Sequence, residues 1–398
     1  MSRVGGVLAP HAPGYRAWLA ERGYRPATVE DHVWLMGHLS RWLTEQDLEP
    51  AAFDGEAAER FQRSRRERYS HLTGARALRP LVGYLRGVGV VPEPVIADTP
   101  VERLLADYRD YLVRERGLVA GSVRMRERVA RAFLVELAEP LEPALERLRP
   151  SDVTAFVTAQ CGAGRRGVEA AKTLTSGLRS LLVFLHLSGR VPVALAGAVP
   201  SVAGWRLSSL PRGLEPEHVA RLLDGCDRGT AVGRRDYAII VLLARLGLRA
   251  CEVATLRLDD VDWRTGELTI RGKGAQTDRL PLPNGVGAAL VEYLPDRLRA
   301  AGCREVFLRA FAPHGPISVK AVDAVVRHAC DRGGVARVGT HRLRHTVATE
   351  LLGAGAPLAE IAPILRHSNL STTAIYAKVD RIALRSLARP WPPAGAPA

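Results

Sequence analysis

Residues 341–376 read HRLRHTVATELLGAGAPLAEIAPILRHSNLSTTAIY and concentrate imidazoles, guanidiniums and a phenol in one stretch. His341 and Arg344 stand at i and i+3, which places them on one face of a helix. A guanidinium fork matches the oxygens of a phosphate, an imidazole can take a proton, and a phenol that has lost its proton is a nucleophile. His341, Arg344 and Tyr376 are thus candidates to take a proton, to bind an anion and to attack, with His341 as the candidate general base for the Tyr376 phenol.

The surrounding residues read as the scaffold for this chemistry. Val347, Leu351 and Leu352 form an apolar series that GAGAP (353–357) stops, with Gly at the cap and Pro beyond it. Leu358, Ile361, Ile364 and Leu365 recur at helical spacing in a second helix. That helix leaves His367 at its end and Ser371 as the cap of a short segment carrying Tyr376.

Upstream, RRDYAIIVLLARLGLRACEVATLRLDDVDW (234–263) reads as an apolar helix, a turn and a second helix carrying Arg249 and Glu252 at i and i+3. GELTIRGKGAQTDRLPLP (266–283) shows two β-type runs joined by a turn in which Lys273 lies between glycines. The chain holds 56 Lys and Arg together, yet only four are lysines, at 172, 273, 320 and 378. An ammonium kept at Lys273 has a chemical rationale, because it can release a proton whereas a guanidinium effectively cannot.

Composition agrees with a polyanionic partner. The 398 residues carry a net charge of +14 at 47% hydrophobic content, enough for two or three domains with their own cores. Cysteines at 161, 226, 251, 303 and 330 are odd in number and scattered, which argues against a disulfide framework and a zinc site. The start, MSRVGGVLAPHAPG, lacks the pattern of an export signal, and no uncharged apolar run reaches membrane-spanning length, so a cytoplasmic protein without a membrane partner is expected.

The first half repeats itself. YRAWLAERGYRPATVEDHVWLMGHLSRWL (15–43) aligns with YRDYLVRERGLVAGSVRMRERVARAFLVEL (108–137) when Gly23 is laid on Gly117, pairing Val29 with Val123 and Leu39 with Phe133. LRPLVGYLRGVGVVP (78–92) aligns with LRSLLVFLHLSGRVP (178–192), pairing Tyr84 with Phe184 and Gly89 with Gly189. The expected organisation is a tail (1–12), a helical unit (13–93), a second helical unit (104–193), a Pro/Gly/Ser-rich linker (194–213), a catalytic domain (214–390) and a tail (391–398). Arg60, Arg63, Arg65, Arg66 and Arg68 form a basic run suited to DNA phosphates, as well as to a solvated helix face.

Taken in order, Arg249, Lys273, His341 and Arg344 in H-x-x-R, His367 and Tyr376 resemble the motif of the tyrosine recombinase (phage integrase) family. The resemblance implies a mainly α, multidomain protein. Two all-helical units of the SAM-like, core-binding type would precede an integrase-type catalytic domain, mostly α with a small antiparallel sheet. It implies a site-specific recombinase, of the kind carried by mobile elements, that cleaves and rejoins double-stranded DNA through a 3′-phosphotyrosine without metal or other cofactor.

In that scheme Arg249 and Arg344 hold the phosphate and Tyr376 attacks it. Lys273 protonates the departing 5′-oxygen, His367 adds a hydrogen bond to the phosphate, and Glu252 supports a neighbouring side chain. A helix following Tyr376 would pack on a neighbouring copy in a homo- or heterotetramer on DNA, with partner recombinases as a further possibility. Two alternatives stand beside this reading: a type IB topoisomerase-like strand transferase, and a DNA-binding accessory protein without catalysis. One departure from the family pattern is Arg366, which precedes His367 where the family usually has Gly.

Overall fold

The computed structural model describes residues 4–93, 98–162, 166–202, 213–272, 277–297, 302–366 and 376. Lys273, His367 and Ser371 lie outside the described residues, as does the helix expected after Tyr376. The described part is mainly α-helical with one small antiparallel sheet, and it divides into two units, Met1–Pro92 with Ser209–Ala398, and Glu93–Ser208. Among the described residues no helix is long and apolar enough to cross a membrane.

Four helices make the first helical body: α1 (Ala12–Glu21), α2 (Pro26–Glu45), α3 (Gly55–Arg68) and α4 (Ala75–Gly87). Pro26 opens α2 at the position where a missing N–H costs nothing. Leu19, Met36, Leu39, Phe61 and Leu81 fill the core between these helices. The second body contains α5 (Pro100–Asp110), α6 (Ala120–Val135), α7 (Leu141–Glu146), α8 (Pro150–Cys161) and α9 (Val168–Leu187) around Leu112, Phe133, Leu178 and Leu185.

The repeat extends to backbone detail. Gly23 and Gly117 have φ of 79° and 57°, and Gly89 and Gly189 have φ of 73° and 71°. This left-handed conformation is one that only glycine adopts at little cost. After α4, the amides of Val90 and Val91 both reach the Leu85 carbonyl; after α9, those of Arg190 and Val191 reach Leu185 in the same way. Tyr15 meets Tyr84 with ring centroids 5.2 Å apart, and Tyr108 meets Phe184 at the same distance.

Tyr15 and Tyr108 are 93 residues apart, whereas the matched glycines are 94 apart. The difference is absorbed by a π-turn at Tyr111–Glu115, absent from α1, which lodges one extra residue in the second copy. The first residues of the expected linker pack as part of the second body. Leu195 and Val199 are buried in the second core, and the Arg179 guanidinium binds the carbonyls of Val199 and Pro200.

The remaining helices are α10 (Pro216–Asp224), α11 (Ala231–Leu246), α12 (Ala250–Thr255), α13 (Asn284–Arg297), α14 (Val319–Arg332), α15 (Thr340–Gly353) and α16 (Leu358–Ile364). Ala238 through Ala244 are all buried, so α11 is the central helix, apolar on every side. Each of its buried Ile and Leu side chains contributes about 1.5–3 kcal/mol. Three strands, β1 (Val261–Asp262), β2 (Glu267–Arg271) and β3 (Thr277–Pro281), form an antiparallel sheet in sequence order, β1 being one more strand than the two runs legible in the sequence. Leu268 and Ile270 face the core while Glu267, Thr269 and Arg271 alternate outward.

Candidate active site

The site is built on the turn between α11 and α12 and on the first turns of α15. Gly247 ends α11 at φ 58°, a left-handed backbone that calls for glycine, and a Cβ there would come within 3.0 Å of Leu365 Cδ2. Its carbonyl accepts a 2.5 Å hydrogen bond from Arg344 Nη1. Two residues later Arg249 is the N-cap of α12 rather than a residue within the helix. Glu252, in the first turn, accepts from the Arg249 main-chain N–H at 2.8 Å and from Arg249 Nη1 at 2.6 Å. The other end of the Arg249 fork donates to the carbonyl of Arg366 at 2.7 Å.

On α15, Thr340 anchors the helix start by donating to Asp323 of α14 at 2.7 Å. His341 is exposed and Arg344 is buried at 4% exposure. With Arg249 they line one cleft of about 310 Å³. Nη2 of Arg344 is buried and has no hydrogen-bond partner among the described residues. Burial, with Arg249 and Arg366 beside it, pulls the Arg344 guanidinium down to about 10, which leaves it charged at neutral pH.

Tyr376 is buried at 2% exposure against Val347, Ala348, Leu352, Ile361 and Leu365. Its hydroxyl lies 2.7 Å from Nδ1 of His345, with the two rings 5.6 Å apart and inclined at 61°. Burial pushes the phenol up, opposed by the charge of Arg344. Burial also pushes the His345 imidazole down, reinforced by His341, Arg342 and Arg344. A neutral imidazole with its proton on Nε2 offers Nδ1 as acceptor to the phenol.

His345 is the site residue that the sequence reading misses. It lies four residues after His341, one helical turn along, and the two rings are 6.5 Å apart. That spacing was the available signal.

Arg366 also differs from expectation. The side chain that replaces the family's usual Gly turns its guanidinium back to Glu252 at 2.8 Å and is 3% exposed. Burial pushes the Glu252 carboxyl up, but the Arg249 main-chain N–H and the guanidiniums of Arg366 and Arg249 together hold it below the usual carboxylate range.

In the first helical body, Arg60, Arg63, Arg66 and Arg68 are exposed on α3. Arg65 is not: it is 3% exposed, stacked 5.0 Å from the Trp34 ring and 4.9 Å from Tyr69, and it donates to the His71 carbonyl. Its charge faces the first core, away from the side that carries the other four.

Residues 212–381 match the phage integrase family. The putative integrase/recombinase y4rA of Sinorhizobium fredii is 39% identical over 393 residues, which cover 97% of this chain and 95% of that protein. The tyrosine recombinase XerC of Methylobacterium sp. is 34% identical over 309 residues, covering 74% of this chain and 94% of that one. The fold is similar to that of the XerH site-specific recombinase bound to palindromic difH substrate, with a TM-score of 0.54 at 18% identity over 73% of this chain and 97% of that chain. With a full-length relative at this identity and a cleft that gathers Arg249, His341 and Arg344 beside a buried tyrosine, the chain belongs to the phage integrase family of tyrosine recombinases, enzymes that cut and rejoin DNA strands.

Proposed function

We propose that this site-specific recombinase cleaves duplex DNA by attack of Tyr376 Oη on a phosphodiester, with His345 as the group that receives the tyrosine proton. The observation that carries the reading is the 2.7 Å contact between the Tyr376 hydroxyl and Nδ1 of His345, an imidazole that burial pushes down, beside the Arg344 guanidinium. As the Oη–P bond forms, the phenol proton passes to Nδ1 and the P–O5′ bond breaks. Lys273 supplies the proton to the departing 5′-oxygen, a role that rests on the family resemblance. Rejoining runs the same steps backward, and the phosphotyrosine conserves the energy of the broken bond.

Arg249 and Arg344 meet the charge that grows on the non-bridging oxygens; fixed donors of this kind supply about 10²–10³-fold each. His341, at the exposed end of the same helix face, stays available to the phosphate. The duplex lies along the Arg60, Arg63, Arg66 and Arg68 face as well as the cleft. Cutting takes place between paired sites held by four copies, this chain alone or together with a partner recombinase.

The names of the relatives favour recombination over topoisomerase-like relaxation. The test is a nicked suicide duplex carrying the element's own ends, read as an SDS-stable protein–DNA band. Wild-type protein forms the band and Tyr376→Phe does not, while both bind the duplex. A band that survives Tyr376→Phe would assign the nucleophile elsewhere.

A further inference from the structure

Arg366 occupies a backbone position that disfavours it. Its φ of 53° is left-handed, a region that a residue with a Cβ enters at a cost. The side chain is nevertheless 3% exposed and fully engaged at its tips, with Nη2 on Glu252 Oε2 at 2.8 Å and Nη1 on the Ile364 carbonyl at 3.0 Å. Its own carbonyl holds Arg249 Nη2. One residue thus touches Arg249 through the main chain and Glu252 through the side chain. The polypeptide then continues directly to His367 and, ten residues after Arg366, to Tyr376.

The charges at the site sharpen the point. Glu252 accepts from Arg249 twice and from Arg366 once. Arg249, Arg344 and Arg366 set three guanidiniums against this one carboxylate and leave two positive charges. If residue 366 carried no charge, Glu252 would offset Arg249 alone and the pair would present almost nothing to a phosphate. In a low-dielectric pocket such compensation is felt strongly.

We propose that Arg366 is a positioning residue for strand transfer: it latches the chain leading to His367 and Tyr376 onto Glu252, and it takes up that carboxylate's charge so that Arg249 remains cationic toward the phosphate. The inference rests on the reading of Arg249 and Arg344 as the groups that hold the phosphodiester. All the partners of the latch lie within this one chain.

Three full-length variants test it in the suicide-duplex assay, each also measured for melting temperature and for affinity toward unbroken duplex. Arg366→Met and Arg366→Gly are expected to form the covalent complex about tenfold more slowly than wild type, with duplex affinity unchanged. Arg366→Gly separates this effect from backbone damage, since glycine accepts the left-handed turn. Arg366→Lys returns a charge to Glu252 and is expected to retain at least about a third of the wild-type rate.

Wild-type rates in Arg366→Met or Arg366→Gly would overturn the proposal. So would Arg366→Lys as slow as Arg366→Met, which would show that the charge has no part in it. Absence of a covalent complex with wild-type protein would instead sink the strand-transfer reading itself, and the latch with it.

Discussion

Replacing His345 with Gln separates holding the tyrosine from taking its proton. Glutamine fits the space and can accept the phenol hydrogen bond through its carbonyl, but it cannot bind the proton as the phosphotyrosine forms. The 2.7 Å contact is within the range required of a general base. A positioned acceptor contributes about 10²–10⁴-fold, or about 2.7–5.5 kcal/mol of barrier. Single-turnover covalent-complex formation in His345→Gln should therefore fall at least about 100-fold at neutral pH with duplex binding intact.

The pH profile gives an independent check. The imidazole is pushed below its ordinary value by burial and by His341, Arg342 and Arg344, so it is neutral and able to accept throughout the neutral range. Wild-type cleavage should weaken only on the acid side of the ordinary imidazole range, once Nδ1 becomes protonated, and His345→Gln should lose that acid limb. Cleavage by His345→Gln within about threefold of wild type would refute the reasoning. So would an acid limb that persists in His345→Gln and disappears in His341→Gln, which would make His341 the acceptor.

Glu252→Ala removes a carboxylate that is 1% exposed and leaves Arg366 buried without its counter-charge; breaking such a pair costs about 3–5 kcal/mol. The melting temperature should fall by about 10 °C, and a drop under about 2 °C would contradict the burial argument. Because the Glu252 carboxyl is held low in the folded chain, its contribution is complete above the ordinary value of about 4.3 and is lost as pH falls through the folded value, which urea unfolding at acidic pH would follow. Replacing Arg60, Arg63 and Arg66 together with Ala should flatten the log–log salt dependence of duplex binding by about 0.9 for each phosphate that is no longer neutralised. Arg65→Met should lower the melting temperature instead and leave that slope alone, since its guanidinium is seated among Trp34, Phe61 and Tyr69.

The residues legible in the sequence were those whose positions follow from local geometry. His341 and Arg344 share a helix face by spacing, and GAGAP ends α15 because glycine at 355 takes φ 89°. The duplicated helical bodies were visible through glycines that both copies need at the same turns. What stayed hidden depends on tertiary placement. His345 gains its meaning only from a tyrosine 31 residues away that folds back against α15. Arg65 reads in the sequence as one of a basic run and Arg366 as a departure from the family pattern, yet each turns inward because an aromatic cluster or a carboxylate waits there. The π-turn after α5 leaves only a one-residue slip in the alignment, which becomes interpretable once the hydrogen bonds are known.

The contact between Tyr376 and His345 also bears on how copies divide their work. On the proposed chemistry the Tyr376 phenol, the His345 imidazole and the Arg344 fork all come from one polypeptide, so each copy holds its own tyrosine beside its own proton acceptor. In a mixture, a copy lacking Tyr376 could not be rescued by one lacking Arg344. Covalent attachment would track the fraction of intact copies in direct proportion, whereas complete recombination through four copies would fall more steeply. Any coordination between cuts must then act through when each tool is permitted to engage its strand, not through sharing of parts.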